Sequence, residues 1–291
     1  MAHYDIFRDQ LAVKYPAWGH ALWEPGPGRL YPAVEVGDVG YIREGRFHRL
    51  FNVLLPADHP SHQNLGVPPF YEPLKISRVS EHIDSLTLGS QDFCSRGVTK
   101  ASAQIEVFAT APPDPGQLSF SCARKQGAVL CLPVQAQRED TIARGIFRDY
   151  IIKHIDDWFD FTEWLGLGID QMEDIILVTG RDRTKTCTNV AFSETDIQTE
   201  ASVRFGVDIS ERLGIQWRFA REHVLGAVLN PGRSGKDLPE DQCIFIRGWR
   251  VIRTLMILRR LRGAAGPSDL PGNDHESGAQ AMFVPTGPRL P

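Results

Sequence analysis

Two histidines three positions apart, His59 and His62, are the residues of this chain whose types best suit metal chemistry. Asp58 stands beside them, so one short segment offers two imidazoles and a carboxylate, all of which zinc accepts as ligands. A zinc site needs three or four well-held ligands, and no nearby cluster of Cys, His or Glu completes this one. The sequence therefore favours a solvated, turn-stabilising loop, with a metal-dependent enzyme as the weaker alternative.

A glycine-rich segment, Gly232-Arg-Ser-Gly-Lys-Asp237, contains the residue types that cradle phosphate. A phosphate-binding loop of the Walker type needs a glycine five positions before its Gly-Lys pair and Ser or Thr after the pair. Asn230 and Asp237 occupy those two positions here. The segment also joins two predicted strands, so no helix N-terminus points at a ligand. We therefore expect a plain loop between strands.

The sequence shows no arrangement that is typical of nucleophilic or acid–base catalysis. No Gly-x-Ser-x-Gly motif occurs. The acids between residues 140 and 165 lie on the polar face of a predicted helix, and His154 lies next to its apolar stripe. We therefore predict a protein that is not an enzyme and that carries no cofactor.

A run of arginines near the C-terminal end offers a different kind of chemistry. It contains no acidic residue, and its six arginines are Arg247, Arg250, Arg253, Arg259, Arg260 and Arg262. Each basic residue close to an anionic bilayer contributes about 1 kcal/mol to binding. This interpretation predicts contact with anionic lipid headgroups. The alternative is that these arginines form ion pairs with acids elsewhere in a chain whose formal net charge is −4.

The composition is that of an ordinary globular chain, since 42% of the 291 residues are hydrophobic and 23% are charged. The net charge of −4 disfavours a nucleic-acid-binding protein, which normally carries a basic excess. The five cysteines are scattered and odd in number, which indicates reduced thiols in an intracellular protein. No apolar run suits a signal peptide or a transmembrane helix, so action on a membrane requires strands or surface binding.

The hydrophobic periodicity predicts an α+β fold, in which a long amphipathic helix packs on a twisted, mostly antiparallel β-sheet. The helix is expected over residues 140–165, with Asp140 or Thr141 as its cap and Gly166 and Gly168 as its end. Strand patterns precede and follow it, and the first of them forms a hairpin that turns at Glu44-Gly45.

Three regions are predicted along the chain. Residues 1–34 form an N-terminal helix and linker, residues 35–262 form a single β-rich domain, and residues 263–291 form a disordered tail rich in Gly, Pro, Asp and Ser. Within the domain, residues 56–98 show little periodicity and are predicted to be a long surface excursion with one or two short elements.

Between Thr99 and Val134 the residues alternate between small or apolar and polar types, which is typical of β-strands. One face of the first predicted strand carries Ala101, Ala103, Ile105, Val107 and Ala109. After a proline-rich turn, the alternation continues through Leu118, Phe120, Val129 and Cys131. Small residues make a weak core, so these strands suit a pair that faces the core in one state and another environment in a second state.

Four parts of the sequence resemble the pore-forming domain of the gasdermins, including short fungal members that lack a large inhibitory domain. They are the hairpin Val39-Gly-Tyr-Ile-Arg-Glu-Gly-Arg-Phe-His-Arg-Leu-Phe51, the strands 101–111 and 117–124, the helix 140–165 followed by Asp174-Ile-Ile-Leu-Val-Thr179, and the strand Gln242-Cys-Ile-Phe-Ile-Arg-Gly-Trp-Arg-Val251. The resemblance covers residues 35–255 as a pattern and matches no invariant motif. Two phrases, at 55–62 and 238–246, also look like predicted proteins of mushroom-forming fungi with no assigned activity.

The gasdermin resemblance implies a cytoplasmic protein that moves to a membrane on activation and forms homo-oligomeric pores in fungal regulated cell death. The basic tip of the family's opening hairpin is reduced here to Arg43, Arg46, His48 and Arg49. Its three arginines join the later arginines as implied lipid ligands. The implied partners are anionic lipids, further copies of the chain and, where the tail acts as a removable restraint, an activating protease.

The same resemblance implies that strands 99–111 and 117–132 insert into the bilayer, together with 186–193 and 199–207. In the soluble state these strands are expected to pack against the helix 140–165. The alternative hypothesis is a soluble β-rich sensing or interaction module that has no membrane activity.

Overall fold

The computed structural model describes residues 1–28, 32–76, 83–101, 117–193, 201–219, 226–253, 259–263 and 281–282. Within these ranges lie the helices α1 (His3–Lys14) and α2 (Arg144–Trp164). The strands are β1 (His20–Ala21), β2 (Asp38–Arg43), β3 (Arg46–Asn52), β4 (Ile83–Leu88), β5 (Gln91–Cys94), β6 (Val98–Ala101), β7 (Gln117–Cys122), β8 (Gln126–Leu132), β9 (Ala136–Thr141), β10 (Ile176–Thr184), β11 (Thr188–Ser193), β12 (Ala201–Ser210), β13 (Gly214–Phe219), β14 (Ala227–Asn230), β15 (Gln242–Arg253), β16 (Arg259–Gly263) and β17 (Ala281–Met282). The sheets are twisted and mostly antiparallel, and the predicted α+β class is confirmed.

The central sheet is built around β10, and the apolar run Ile175–Val178, which leads into this strand, is buried as expected of a central strand. On one side β10 pairs with β15, and on the other it pairs first with β2 and then with β9. β3 continues the sheet beyond β2, β4 continues it beyond β9, and β1 and β16 pair with β15. The predicted hairpin is therefore β2–β3, and Glu44 and Gly45 form its turn with positive φ angles of 52° and 76°.

Helix α2 packs on one face of the central sheet. Its buried side chains Phe147, Ile151, Ile155 and Trp158 share a core with residues of β2, β3, β10 and β15. The expectation that this helix packs against strands 99–132 is wrong for the described part of that range, since the buried residues of β7 and β8 belong to other clusters. Its apolar stripe matches any apolar sheet face, and periodicity alone does not identify the partner.

The start of α2 also differs from the prediction. The helix begins at Arg144, because Asp140 and Thr141 still belong to β9. Thr141 Oγ1 accepts a hydrogen bond from the N–H of Ala143 at 3.2 Å, just before the helix. The end agrees, since Gly166 and Gly168 adopt positive φ angles of 65° and 62°.

The N-terminal helix α1 lies inside the molecule. Ile6, Phe7 and Leu11 are at most 1% exposed, and they pack between Ile244 and Phe245 of β15 and the apolar side chains of β8. Residues 1–14 therefore belong to the core of the β-rich part of the chain.

Two four-stranded sheets lie beside the central sheet and have the same strand order. The order is β14–β11–β8–β5 in the first, named here the proximal sheet, and β13–β12–β7–β6 in the second, named the distal sheet. Each distal strand is the direct neighbour in sequence of the proximal strand at the same place in the order. The two sheets are therefore two consecutive parts of the same four chain segments.

The distal sheet folds back over one face of the proximal sheet. Val98, Phe120, Val203 and Phe205 of the distal sheet form one buried cluster with proximal residues, among them Val190. Gly127 of β8 permits this close approach, because a Cβ atom there would lie 2.6 Å from Cys122 Sγ and from Val98 Cγ2. The opposite face of the proximal sheet packs on α1.

The region 56–98 is more ordered than predicted. Its second half contains β4, β5 and the start of β6. Phe93 and His62 are each 2% exposed, so parts of this region reach the core. The predicted disordered tail lies mostly outside the described residues, apart from Gly263 and the strand β17, whose Ala281 and Met282 pair in parallel with Leu261 and Arg262.

Candidate functional site

The distal sheet has one apolar and one polar face, and it is the part of the molecule whose arrangement suits a function. The register places Val203 opposite Phe120, and Phe205 opposite Leu118. Phe120, Val203 and Phe205 are buried against the proximal sheet, and the Phe120 and Phe205 rings stack with centroids 5.8 Å apart. Successive residues of a strand point to opposite faces, which brings polar residues to the other side.

The polar face is solvated. Its described members are Thr99, Ser119, Ser121, Ser202, Arg204, Asp208, Gln216 and Arg218. Thr99 Oγ1 and Ser121 Oγ are 3.0 Å apart, and Arg218 forms an ion pair of 2.5 Å with Asp208 on the neighbouring strand. The distal sheet therefore has the alternation of an amphipathic sheet, with the exception of Lys100, which lies opposite Phe120 at the edge strand and forms an ion pair with Asp92 of β5.

The turn of the β12–β13 hairpin exposes large apolar side chains. Ile209 is 57% exposed and Leu213 is 61% exposed, on either side of Ser210-Glu211-Arg212. Sequence reasoning found strand patterns at 199–207 but missed this tip, since Ile209 and Leu213 are separated by the turn. The alternation Val203, Phe205, Val207 and Ile209 is the pattern that could have revealed it.

The predicted membrane-inserting residues occupy different places. Leu118 and Phe120 lie on the apolar face of the distal sheet, while Val129 and Cys131 are buried in the proximal sheet where the two sheets meet. Ala101 pairs with Ser119, so its position in the register belongs to the polar face and the assignment to the apolar face is wrong. Ala103, Ile105, Val107 and Ala109 lie outside the described residues.

Three predicted lipid-binding arginines of the β2–β3 hairpin are engaged within the protein. Arg43 donates to the carbonyl oxygens of Leu167 and Gly168 at 2.8 and 3.1 Å. Arg46 donates to the Gly26 carbonyl and forms an ion pair with Glu24. Arg49 lies 3.5 Å from the carboxylate of Asp38.

Arg247 was also predicted to bind lipid, and for this residue the structure contradicts the prediction most clearly. It is 3% exposed, and its guanidinium donates to Asp140 at 2.5 Å and to Asp182 at 2.9 Å. The two carboxylates raise its pKa against the opposing effect of burial. Arg247 is therefore a structural ion-pair partner and is closed to a lipid headgroup in this fold.

The remaining predicted arginines come together in the β15–β16 hairpin. Its antiparallel register pairs Arg253 with Arg259, Ile252 with Arg260 and Arg250 with Arg262. This register places the positions of several arginines next to one another on neighbouring strands. Such a concentration at one edge of the central sheet suits an anionic surface.

The histidine pair has a structural role in the loop. His59 Nδ1 accepts a hydrogen bond from the N–H of Ser61 at 3.2 Å, and His62 Nε2 accepts one from the N–H of Asn52 at 3.0 Å. Burial lowers the pKa of His62, which lies inside and is not solvated as predicted. Within the part of the chain that the structure describes, no group of three or more His, Cys, Asp or Glu side chains is placed to hold a metal.

Neither described helix is long and apolar enough to cross a bilayer. Comparison of the chain with protein-family models, curated proteins and solved structures finds no match. The distal sheet is therefore interpreted from this chain alone.

Proposed function

We propose that this chain is a non-enzymatic pore-forming protein whose distal sheet unfolds from the proximal sheet and enters a membrane. The observation that carries the proposal is the identical strand order of two sheets made from the same four chain segments. Straightening of the connections between them joins the two sheets into one four-stranded sheet in which every strand keeps its neighbours, and only the register between neighbouring strands has to shift, by three to five residues, from one half to the other. The resemblance to short fungal gasdermins supports the same function, in regulated cell death.

The four straightened segments are long enough to span a bilayer. They run over residues 91–101, 117–132, 188–210 and 214–230. A membrane-spanning β-strand needs about 9–11 residues when it is tilted by about 45°. Three of the four segments exceed that length, and their remaining residues can stay in the proximal sheet, which remains attached to α1 and the central sheet.

The two faces of the distal sheet suit a transmembrane barrel, in which apolar side chains face lipid and polar side chains face the lumen. The apolar face is covered by the proximal sheet in the present fold and becomes exposed by straightening. The exposed tip residues Ile209 and Leu213 reach the bilayer first.

The edges of the straightened sheet need partners, because unpaired backbone groups are not tolerated in lipid. With four antiparallel strands, the edge strand β5–β6 of one copy meets the edge strand β13–β14 of the next in antiparallel orientation. Repetition of this contact closes a ring of identical subunits. The proposed partners are therefore further copies of the chain on an anionic membrane, which the β15–β16 hairpin contacts.

A reversible disulfide across one bend tests the proposal. A Cβ atom at 127 would lie 2.6 Å from both Cys122 Sγ and Val98 Cγ2. Gly127→Cys is therefore made throughout in a Val98→Ala background, which gives the new Cβ atom room, and its thiol is then placed to bond to Cys122. A disulfide holds its two Cα atoms within about 7 Å, whereas five residues of straight strand span about 17 Å. The oxidised variant is therefore locked in the folded-back state.

We expect dye release from anionic vesicles by the wild type or by a form ending at Gly263. Oxidised Gly127→Cys should release no dye, and dithiothreitol should restore release. Gly127→Cys combined with Cys122→Ser is the matched control, because it cannot form the bond and should be active without reductant. Absence of release by both the full chain and the shortened form favours the soluble interaction module. Release by the oxidised variant contradicts the straightening of β7 and β8.

A further inference from the structure

The glycine-rich loop 231–241 holds the folded-back hairpin β12–β13. Ile215 and Gly235 exchange two backbone hydrogen bonds, each of 2.9 Å. Ser234 Oγ accepts a further hydrogen bond from the N–H of Trp217 at 3.2 Å. The loop thus pairs with β13 on the side opposite to β12.

Trp217 lies between the loop 231–241 and Thr186, which follows β10. Its indole N–H donates to Thr186 Oγ1 at 3.0 Å. A Cβ atom at Gly232 would lie 2.3 Å from the indole nitrogen, and one at Gly214 would lie 2.2 Å from the Gly235 carbonyl oxygen. Gly232 of the loop and Gly214 of the hairpin therefore allow the two to come into contact.

The loop is itself hydrogen-bonded to Thr186 and Thr188, which lie between β10 and β11 and at the start of β11. Thr186 Oγ1 donates to the Arg233 carbonyl at 2.8 Å, and the N–H of Gly232 donates to Thr188 Oγ1 at 3.0 Å. Arg233 forms an ion pair with Asp241 at 2.5 Å. One hydroxyl group, that of Thr186, thus binds both the loop and the indole of Trp217.

We infer that the loop 231–241 is a latch that controls how readily the distal sheet leaves the proximal sheet. Because β12 pairs with β7 over six register positions, the distal sheet can leave as one unit, and contacts to β13 restrain all of it. The inference rests on the proposed function for its biological meaning. The latch itself can be measured without a membrane.

Hydrogen exchange of the full-length protein in solution tests the latch. Ser234→Ala removes the acceptor of the Trp217 N–H, and Trp217→Phe removes the indole N–H while it keeps an aromatic ring. Each change should raise the exchange rate of the β12–β13 amides about two- to tenfold, as expected for a lost hydrogen bond. Exchange in β2–β3 should stay unchanged.

Lys236→Ala is the matched control, because Lys236 is an exposed residue of the same loop. It should leave the exchange rates of β12–β13 at their wild-type values. The latch is overturned if Ser234→Ala and Trp217→Phe leave β12–β13 exchange unchanged. It is also overturned if they raise exchange in β2–β3 equally, since the loss of stability is then global.

Dye release from anionic vesicles separates the latch from the proposed function. Faster exchange in β12–β13 together with faster release by Ser234→Ala supports both. Faster exchange without release by any form supports the latch and contradicts the pore. Release by the wild type, with neither exchange nor release changed in the two variants, supports the pore and overturns the latch.

Discussion

Asp38 shows at the scale of one residue how the fold sets the chemistry of a group. It is fully buried, and its carboxylate accepts hydrogen bonds from the N–H of Glu35 at 2.7 Å and from Asn52 Nδ2 at 2.8 Å. Arg49 lies 3.5 Å away and favours the charged form. Burial outweighs these contacts and raises the pKa of Asp38 to about 7.

The raised pKa predicts that Asp38 makes the protein less stable as the pH rises from about 4 to 7. In that window the folded protein holds a proton on Asp38 that the unfolded chain, with a pKa of 3.8, has released. The free energy of unfolding of the wild type relative to Asp38→Asn should therefore fall by up to about 1.4 kcal/mol per pH unit.

Urea unfolding between pH 4.5 and pH 7.5 measures this difference. Asp58→Asn is the control for the loss of one carboxylate, since Asp58 is exposed. Equal pH profiles for Asp38→Asn and the wild type contradict the prediction.

The candidate site residues were only partly predictable from the sequence, and the arginines show why. Six arginines without an acid suggested a basic surface, yet Arg247 pairs with Asp140 and Asp182, which are 107 and 65 positions away. Ion pairs between such distant positions depend on the pairing of β9, β10 and β15, which local composition does not contain. The β15–β16 hairpin keeps the concentration of charge that the sequence indicated.

At the scale of elements, the existence of strands and helices was predicted better than their partners. The β2–β3 hairpin, α2 and the strands after residue 174 agree with the periodicity of the sequence. The partner of α2 was predicted wrongly. The N-terminal helix α1 was assigned to a separate region, although it fills the space between the central and proximal sheets.

Phe7 tests the structural role of α1. It is fully buried and contacts Trp23 edge to face, with ring centroids 5.2 Å apart. Phe7→Ala should lower the free energy of unfolding by about 3–5 kcal/mol, because it leaves a cavity between two sheets. Val13→Ala, on the same helix and 51% exposed, should change it by less than about 0.5 kcal/mol.

Urea unfolding measures both values. A small effect of Phe7→Ala, comparable to that of Val13→Ala, contradicts the assignment of α1 to the core and favours a dispensable N-terminal region.

At the scale of the whole molecule, the sequence did not predict that the distal sheet folds back over the proximal sheet. Alternation predicted strands near 117–132 and 199–207, but it does not say that β7 pairs with β12 or that β8 pairs with β11. The bend between β7 and β8 depends on Gly127, whose missing side chain leaves room for Cys122 and Val98 of the distal sheet. Only the three-dimensional arrangement shows that two sheets repeat one strand order.

The net charge of −4 opposes the approach of the whole molecule to an anionic membrane. Binding therefore has to come from a local concentration of positive charge, and the β15–β16 hairpin provides one. Replacement of Arg253, Arg259, Arg260 and Arg262 by Gln should weaken vesicle binding by up to about 4 kcal/mol, at about 1 kcal/mol for each charge.

A second set of four substitutions separates local from global charge. Replacement of the exposed residues Lys75, Arg96, Lys153 and Lys185, all outside the β12–β13 tip, by Gln removes the same number of positive charges, so both variants change from −4 to −8. Cosedimentation with phosphatidylserine vesicles at low and at physiological salt should show a large loss for the hairpin variant and a small one for the control. Salt should weaken the binding of the wild type, since the Debye length falls to about 8 Å at 0.15 M. Equal losses in the two variants contradict a lipid-binding hairpin, because overall charge alone then accounts for the binding.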